Sequence, residues 1–217
     1  MMEIIAHRGS SHKYGDNTME AFKHASELRC SIEMDVQITM DKVIICSHNP
    51  YCKKTGLMTY KRNYDRHEDV ALHDVFSEVE VPCFIFDIKD TRCNSDMVVN
   101  LINLVIKYKI IHKCIFASFN EFHLRDICEQ EKIRNITFRK AYITGNLNVD
   151  MFEYKIQRWS LSYIIIYKFQ LNKEFVSFVK KYNIKVYVYT CNSEGTFQYC
   201  EYCECDGVIS DIPEKFV

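Results

Sequence analysis

The sequence lacks the features that identify several large classes of protein. It carries almost no net charge, because 28 basic and 29 acidic residues leave a formal charge of -1 at neutral pH. An electrostatic footprint for nucleic acid, or for an anionic membrane surface, is therefore absent. Any anionic substrate must be held by local positive charge or by a metal ion.

Long apolar segments are also missing. The N-terminal stretch has neither a basic region nor a long hydrophobic run, so we expect no secretory leader. The most apolar segment, the three isoleucines at 164–166, is too short to span a bilayer and is typical of a buried strand. Eleven cysteines in such a chain predict reduced thiols and a cytoplasmic location.

Glycine and proline are scarce, with six and three residues among 217. We interpret this scarcity as a coding bias that carries no information about mechanism. There is no internal repeat, low-complexity tract or second domain. A hydrophobic content of 47% suits a single folded domain with a sizeable core, which we place at residues 1–217.

Short apolar strands alternate with helical patterns along the chain, which is typical of βα units and a parallel sheet. Eight such repeats predict an α/β fold, the (β/α)8 TIM barrel. A polar, irregular stretch at residues 50–69 predicts a short insertion after strand two. Only residues 213–217 remain for a truncated last helix. The predicted strands are 3–6, 31–38, 83–88, 113–118, 135–140, 163–167, 185–190 and 207–210.

Two carboxylates lie two positions apart in the second predicted strand. Side chains at i and i+2 of a strand point to the same face, so Glu33 and Asp35 face one side together. Their neighbours Ile32, Val36 and Ile38 predict a buried strand, which disfavours a solvated pair. Buried carboxylates repel each other unless a cation lies between them. A divalent ion bound through oxygen is the natural solution.

Asp87 and Lys89 repeat this spacing at the end of the third predicted strand. Strands two and three are neighbours in the barrel, so Asp87 falls beside Glu33 and Asp35 as a third oxygen ligand. Lys89 faces the same cavity and suits a phosphate oxygen as a point charge. The alternative is a surface salt bridge between Asp87 and Lys89, which the apolar residues on either side disfavour.

Two histidines come at the ends of strands, His7 after strand one and His48 after strand two and its extension. Imidazole titrates near neutral pH, so two of them can share general acid and base work. Arg8 keeps its charge and suits bidentate recognition of a phosphate. Together with the carboxylates they predict a phosphodiester site at the C-terminal mouth of the barrel.

Further residues extend this pattern of strand-end side chains. In chain order the full set is His7-Arg8-Gly9, Asp16-Asn17-Thr18, Glu33-x-Asp35, His48, Asp87-x-Lys89, Ser118-Phe119, Thr190-Cys191-Asn192 and Asp206-Gly207-Val208-Ile209-Ser210-Asp211-Ile212-Pro213. The pattern resembles that of the glycerophosphodiester phosphodiesterase family. The likeness covers almost the whole chain.

The resemblance implies metal-dependent hydrolysis of glycerophosphodiesters to sn-glycerol 3-phosphate and an alcohol, in lipid and glycerol metabolism. In the implied route the neighbouring hydroxyl of the substrate attacks phosphorus, and the cyclic phosphate is then hydrolysed. A divalent metal, Mg or Ca, is the implied cofactor. The residues divide into metal ligands Glu33, Asp35 and Asp87, the acid and base His7 and His48, and the substrate-binding residues Arg8, Lys89 and Asp16.

Three positions depart from the family pattern. Asp16 and Asp87 stand where the family usually has Glu, and Asn49 stands where it usually has Asp. Each change keeps a polar oxygen but shortens the side chain or removes a charge. These positions therefore leave the identity of the metal open.

Two other functions remain compatible with these residues. One is a phospholipase D-like enzyme that acts on lysophospholipids and forms a cyclic phosphate, which apolar residues at the barrel mouth would favour. The other is a catalytically inactive barrel kept as a binding module, which the retention of the whole polar set disfavours. A small-molecule substrate is expected in either enzyme.

The segment Cys200-x-x-Cys203-x-Cys205 has two interpretations. It could form a zinc site with Cys191 or a nearby histidine, or it could be a helix end followed by a turn into strand eight. A second Cys-x-x-Cys at zinc-finger spacing is missing, which favours the helix end.

Overall fold

The computed structural model describes residues 2–89, 96–145 and 149–217. Its strands are β1 (Glu3–His7), β2 (Ser31–Ile38), β3 (Ile44–Cys46), β4 (Val70–Ala71), β5 (Phe84–Ile88), β6 (Cys114–Ser118), β7 (Arg139–Thr144), β8 (Tyr163–Tyr167), β9 (Lys185–Tyr189) and β10 (Gly207–Ser210). Its α-helices are α1 (Ser11–Tyr14), α2 (Met19–Glu27), α3 (Leu72–Glu78), α4 (Asp96–Lys107), α5 (Glu121–Arg134), α6 (Val149–Trp159), α7 (Lys173–Lys180) and α8 (Glu194–Tyr202).

Eight of these strands form a closed parallel barrel in the order β1-β2-β5-β6-β7-β8-β9-β10. The barrel closes because β1 pairs in parallel with both β2 and β10. Helices connect successive strands, so the predicted (β/α)8 TIM barrel is confirmed. The truncated end is also confirmed, since a single short 3-10 turn, Pro213–Lys215, follows β10.

The core has two layers because side chains alternate along each strand. Outward-facing residues such as Met34 and Phe86 pack against the helices. Inward-facing residues such as Ile5, Ile85 and Tyr187 fill the barrel below the mouth. In β5 this alternation gives Ile85 and Asp87 the same inward face. The carboxylate of Asp87 therefore lies at the C-terminal end of an inward-facing row of side chains that is otherwise apolar.

The insertion after β2 is a small antiparallel extension of the sheet. β3 pairs antiparallel with β2, and β4 pairs antiparallel with β3. The chain between them is largely irregular and contains the 3-10 turn Thr59–Lys61. The two-residue strand β4 and the one-turn helix α1 were not predicted.

One predicted strand was displaced. The sequence placed strand five at residues 135–140, whereas β7 spans Arg139–Thr144. The prediction ended at Lys140, a residue type that is rarely buried. Here the side chain is 1% exposed and its ammonium pairs with Glu131, so the strand continues inward. None of the helices in the described ranges is both long and apolar enough to cross a membrane.

Candidate active site

Seven of the eight predicted site residues line one pocket at the C-terminal mouth of the barrel, and the eighth, Asp16, lines the adjoining groove. The pocket has a volume of about 140 Å³. Its wall is polar on one side and apolar on the other. It is lined by His7, Arg8, Glu33, Asp35, His48, Asp87, Lys89, Phe119, Ile143, Ile165, Tyr189 and Ile209.

Three buried carboxylates form the centre of this pocket. Asp35 in β2 lies opposite Asp87 in β5 in the parallel register, and Glu33 lies two residues before Asp35. One oxygen from each carboxylate lies within 4.8 Å of the others. The predicted convergence of Glu33, Asp35 and Asp87 is therefore found in the structure.

This concentration of negative charge changes the proton affinity of the carboxyls. Burial, reinforced by the charge of Asp35, raises the pKa of Glu33 to about 8. Burial also raises the pKa of Asp87 to about 6, with Lys89 opposing the shift and Asp35 adding to it. At neutral pH the carboxyl of Glu33 is therefore mainly protonated unless a bound cation favours its charged form.

Two cationic side chains lie against the carboxylates. The ammonium of Lys89 is 2.6 Å from Asp87 and 3.3 Å from Asp35. The guanidinium of Arg8 is 2.9 Å from Asp35 through Nε. Lys89 does pair with Asp87, as the alternative interpretation expected, but the pair lies inside the pocket and not on the surface. Two positive charges thus border the site where an anionic group would enter.

His7 is held by a residue that the sequence analysis did not single out. Its Nδ1 atom lies 2.5 Å from Oδ1 of Asp211, and its Nε2 atom lies 3.8 Å from Oε2 of Glu33. Burial lowers the pKa of His7, but the hydrogen bond to Asp211 and the charge of Glu33 outweigh it, so the net shift is upward. Asp211 fixes the ring orientation of His7.

Asp211 is itself anchored by polar neighbours. Asn192 donates from Nδ2 to Oδ2 at 2.6 Å, and Ser11 donates from Oγ to Oδ1 at 3.2 Å. Burial by itself raises the pKa of Asp211. The hydrogen bond from His7 and the charge of His7 outweigh burial, so the net pKa is lowered to about 2. Asp211 and Asn192 stand within the segments that carried the resemblance, which was the available signal for their role.

His48 reaches the pocket by way of the antiparallel extension. It follows β3, which runs back along β2, and the amide of Ser47 donates to the carbonyl of Asp35 at 2.9 Å. This return places His48 at the level of the carboxylates, where its exposed side chain lines the pocket. His48 therefore reaches the pocket from the antiparallel extension, which lies outside the eight-stranded barrel.

The segment of residues 16–18 lies beside the site and contacts two of its residues, Arg8 and Asp35. Thr18 caps α2, because its side-chain oxygen accepts from the amide of Ala21 at 3.1 Å. Asn17 donates to Oδ2 of Asp35 at 2.9 Å and accepts from the amide of Asp35 at 3.2 Å. Asp16 accepts from Nη1 of Arg8 at 2.6 Å. Asn17 is a site residue that the sequence analysis missed.

The loop after β1 requires glycine at position 9. Arg8 and Gly9 both have positive φ, 56° and 79°. A Cβ on Gly9 would lie 2.7 Å from the backbone of Ala21 in α2. In this loop the backbone amide of Arg8 donates a hydrogen bond to Oε2 of Glu33 at 3.1 Å. The packing against Ala21 accounts for the glycine at position 9.

The carboxylate cluster fits a hard divalent cation. Its donors are all oxygens, as Mg²⁺ and Ca²⁺ prefer. Oδ1 of Asp87 is buried and lacks a hydrogen-bond partner among the described residues. Within the described ranges, this is the one group of three or more His, Cys, Asp or Glu side chains close enough to share an ion.

The cysteine segment adopts the helix-end arrangement. α8 ends at Tyr202, and the amide of Cys205 donates to the carbonyl of Cys200 at 3.0 Å in the turn that leads to β10. Cys191, Cys200 and Cys205 are buried free thiols that form no disulfide. They pack in the layer between the barrel and the helices.

Comparison with known proteins agrees with this architecture. The model of the Glycerophosphoryl diester phosphodiesterase family matches residues 7–80 and 57–215. A glycerophosphodiester phosphodiesterase of Caldanaerobacter subterraneus is 24% identical over 238 residues, covering 99% of this chain and 96% of that protein.

Solved structures share the fold. An Oleispira antarctica phosphodiesterase in complex with the product sn-glycerol-3-phosphate matches with a TM-score of 0.87 and 18% identity, over 98% of this chain and 94% of that one. A glycerophosphodiester phosphodiesterase of Thermotoga maritima matches with a TM-score of 0.79 and 22% identity, over 100% and 97% of the two chains. The chain belongs to the glycerophosphoryl diester phosphodiesterase family.

Proposed function

We propose that this protein is a phosphoric diester hydrolase that cleaves glycerophosphodiesters to sn-glycerol 3-phosphate and an alcohol. The observation that carries the proposal is the convergence of two imidazoles, two cations and three buried carboxylates on one pocket. Family membership and the product named for the Oleispira relative support the same reaction. A small-molecule substrate suits a concave site in which a few polar groups converge beside apolar side chains.

The two histidines supply proton transfer in this proposal. One imidazole takes the proton of the glycerol 2-hydroxyl, whose oxygen forms a bond to phosphorus. The bond from phosphorus to the alcohol breaks, and the other imidazole gives that alcohol a proton. Water then opens the cyclic phosphate to sn-glycerol 3-phosphate. Asp211 keeps His7 in place throughout, because its hydrogen bond fixes the ring and its tautomer.

Arg8 and Lys89 hold the phosphate by charge, and Asp16 orients Arg8 at the edge of the pocket. Glu33, Asp35 and Asp87 would hold a Mg²⁺ or Ca²⁺ ion. When bound, the ion supplies positive charge that stabilises the non-bridging phosphate oxygens. We also propose a cytoplasmic location, which rests on the cysteine content.

Release of glycerol 3-phosphate from glycerophosphocholine tests the proposal, measured with Mg²⁺, Ca²⁺, Mn²⁺ or EDTA. We expect metal-dependent release that EDTA stops, and loss of turnover by at least a hundredfold in His7→Ala and in His48→Ala. His67→Ala is the matched control, since His67 is exposed and does not line the pocket.

Wild-type rates in either active-site variant would overturn the acid and base roles. An inactive binding barrel is the competing function. It predicts no product with any metal, together with retained binding of sn-glycerol 3-phosphate.

A further inference from the structure

Among the described residues that line the catalytic pocket, Tyr189 is the only one that carries a hydroxyl group. The wall around it is otherwise apolar and consists of Phe119, Ile143, Ile165 and Ile209. The proton transfer, phosphate binding and metal binding proposed above use none of these five side chains. Tyr189 is therefore a polar group on the apolar side of the pocket that the proposed chemistry leaves unused.

Strand periodicity brings the side chain of Tyr189 into the pocket. Tyr187 and Tyr189 lie two positions apart in β9, so both point to the inner face of the barrel. The Tyr189 ring is held from two sides, because its centroid lies 6.3 Å from that of Phe119, edge to face, and 5.5 Å from that of Tyr167. These contacts restrict the ring and therefore the position of its hydroxyl.

The hydroxyl of Tyr189 lies near the charged part of the site and is available to a ligand. Burial raises the pKa of this phenol, and the charge of Asp87 adds to the shift while Lys89 opposes it. Within the described ranges the hydroxyl forms no hydrogen bond. A neutral phenol can donate one hydrogen bond and accept another, so Tyr189 can bind a hydroxyl of the substrate.

The catalytic pocket and the adjoining groove differ in size. Their volumes are about 140 Å³ and about 360 Å³. Arg8 and His48 line both spaces and mark their junction, whereas Asp16 and Lys53 line the groove alone. With the phosphate held at this junction, the smaller space suits the three-carbon glycerol unit and the larger one suits the alcohol that leaves.

A glycerol unit in the pocket presents both carbon surface and a free hydroxyl to the wall. Its carbons match the isoleucine side chains. Its 2-hydroxyl is the proposed nucleophile, so the terminal hydroxyl requires a separate partner. A polar group that leaves water without a partner lowers the affinity. On the apolar side of the pocket, the described residues offer the phenol of Tyr189 for this contact.

We propose that the phenolic hydroxyl of Tyr189 forms a hydrogen bond with the terminal hydroxyl of the glycerol unit and makes the enzyme selective for glycerol. The inference rests on the proposed function and adds a specificity-determining residue to it. A substrate that lacks this hydroxyl leaves the half-buried phenol without a partner. Such a substrate is bound less tightly in the transition state, which lowers kcat/KM.

Two substrates and one conservative variant test this inference as a cycle of substitutions. The substrates are glycerophosphocholine and 2-hydroxypropyl phosphocholine of the same configuration, which keeps the 2-hydroxyl and lacks the terminal one. We expect the wild-type kcat/KM to be about tenfold higher for glycerophosphocholine. Tyr189→Phe keeps the ring and should lower that value about tenfold, while the value for the analogue changes by less than about twofold.

Tyr167→Phe is the matched control. The ring of Tyr167 contacts that of Tyr189, but Tyr167 does not line the catalytic pocket. Removal of its hydroxyl should therefore leave both values of kcat/KM unchanged. The Tm of each variant shows whether the ring packing and the fold are retained.

The outcomes separate this inference from the proposed function. If the wild type cleaves glycerophosphocholine without preferring it to the analogue, the role of Tyr189 is wrong and the proposed function stands. An equal fall for both substrates in Tyr189→Phe would indicate a structural role and would also overturn the inference, as would loss of the preference in Tyr167→Phe. If neither substrate is cleaved with any divalent metal, the proposed function itself fails and the role of Tyr189 falls with it.

Discussion

Nδ1 of His7 and Oδ1 of Asp211 lie 2.5 Å apart although 204 positions separate the two residues. The first and last barrel strands are hydrogen-bonded neighbours, and the pair lies where both strands end. The contact gives His7 a fixed orientation with Nε2 on the side of Glu33. Asp211 is therefore a positioning residue whose contribution is separable from that of His7.

Asp211→Asn should lower kcat about a hundredfold or more, because an amide removes the charge that orients and stabilises the imidazolium. The pKa of His7 should fall with it, which moves the corresponding limb of the pH–rate profile to lower pH. Steady-state kinetics between pH 5 and 9 measure both effects. Ser11→Ala removes one neutral hydrogen bond to the same carboxylate and should cost less than tenfold. An unshifted profile in Asp211→Asn would contradict the positioning role.

Asn17→Ala should destabilise the fold by about 1–3 kcal/mol, because it removes the side-chain acceptor of the buried Asp35 amide and one donor to the Asp35 carboxylate. Denaturant unfolding measures the loss. Activity should fall further than stability explains, since only the ion pairs with Arg8 and Lys89 then hold the carboxylate of Asp35 in position. Full activity in a folded Asn17→Ala protein would show that Asp35 keeps its position unaided.

Metal binding should strengthen as pH rises from 6 to 8. The pKa of Glu33, raised to about 8, means that an incoming cation must displace a proton over this range. The affinity should therefore change by up to about tenfold per pH unit. Titration calorimetry with Mg²⁺ or Ca²⁺ measures the affinity directly, and Glu33→Gln should flatten its dependence on pH.

Asp87→Ala should weaken metal binding, and an unchanged titration would place the third ligand elsewhere.

The same raised pKa predicts how the metal-free protein responds to pH. A carboxyl with a folded pKa above its unfolded value binds more protons when folded, so the free energy of unfolding falls as pH rises between about 4.5 and 8. Saturating metal should oppose that fall, with the larger rise in Tm at pH 8 than at pH 6. Equal metal-induced shifts at both pH values would contradict this coupling.

Gly207→Ala should destabilise the barrel by about 1–3 kcal/mol. A Cβ at this position would lie 2.9 Å from the ring of Tyr187 and 3.0 Å from Ile5, both in the packed interior. Thermal unfolding measures the loss. Gly145→Ala is the matched control, because an added Cβ there meets no atom of the described residues within 4 Å. Equal stability of the two variants would show that the interior yields at little cost.

The parts of the site that follow strand periodicity were predictable from the sequence. Glu33 and Asp35 share a face because they are two residues apart, and Asp87 joins them because successive barrel strands are neighbours. Lys89 follows from the same reasoning. These inferences need only the period of a strand and the closure of the barrel.

The residues that were missed depend on geometry that spacing does not encode. Asn17 reaches Asp35 from a left-handed backbone conformation, with φ of 57°, and Asp211 meets His7 only because the barrel closes. The shift of β7 from its predicted position also depends on a contact that spacing does not encode. Lys140 was treated as a strand end, but its ion pair with Glu131 lets the strand pass it.

Closure of the barrel by β1 and β10 also has a consequence for the timing of synthesis. A ribosome adds Asp211 204 residues after His7. Nascent chains that lack β10 therefore carry an imidazole without its partner and an open sheet edge along β1. Hydrolytic competence should therefore arise abruptly, when the final strand docks against β1 and brings Asp211 to His7.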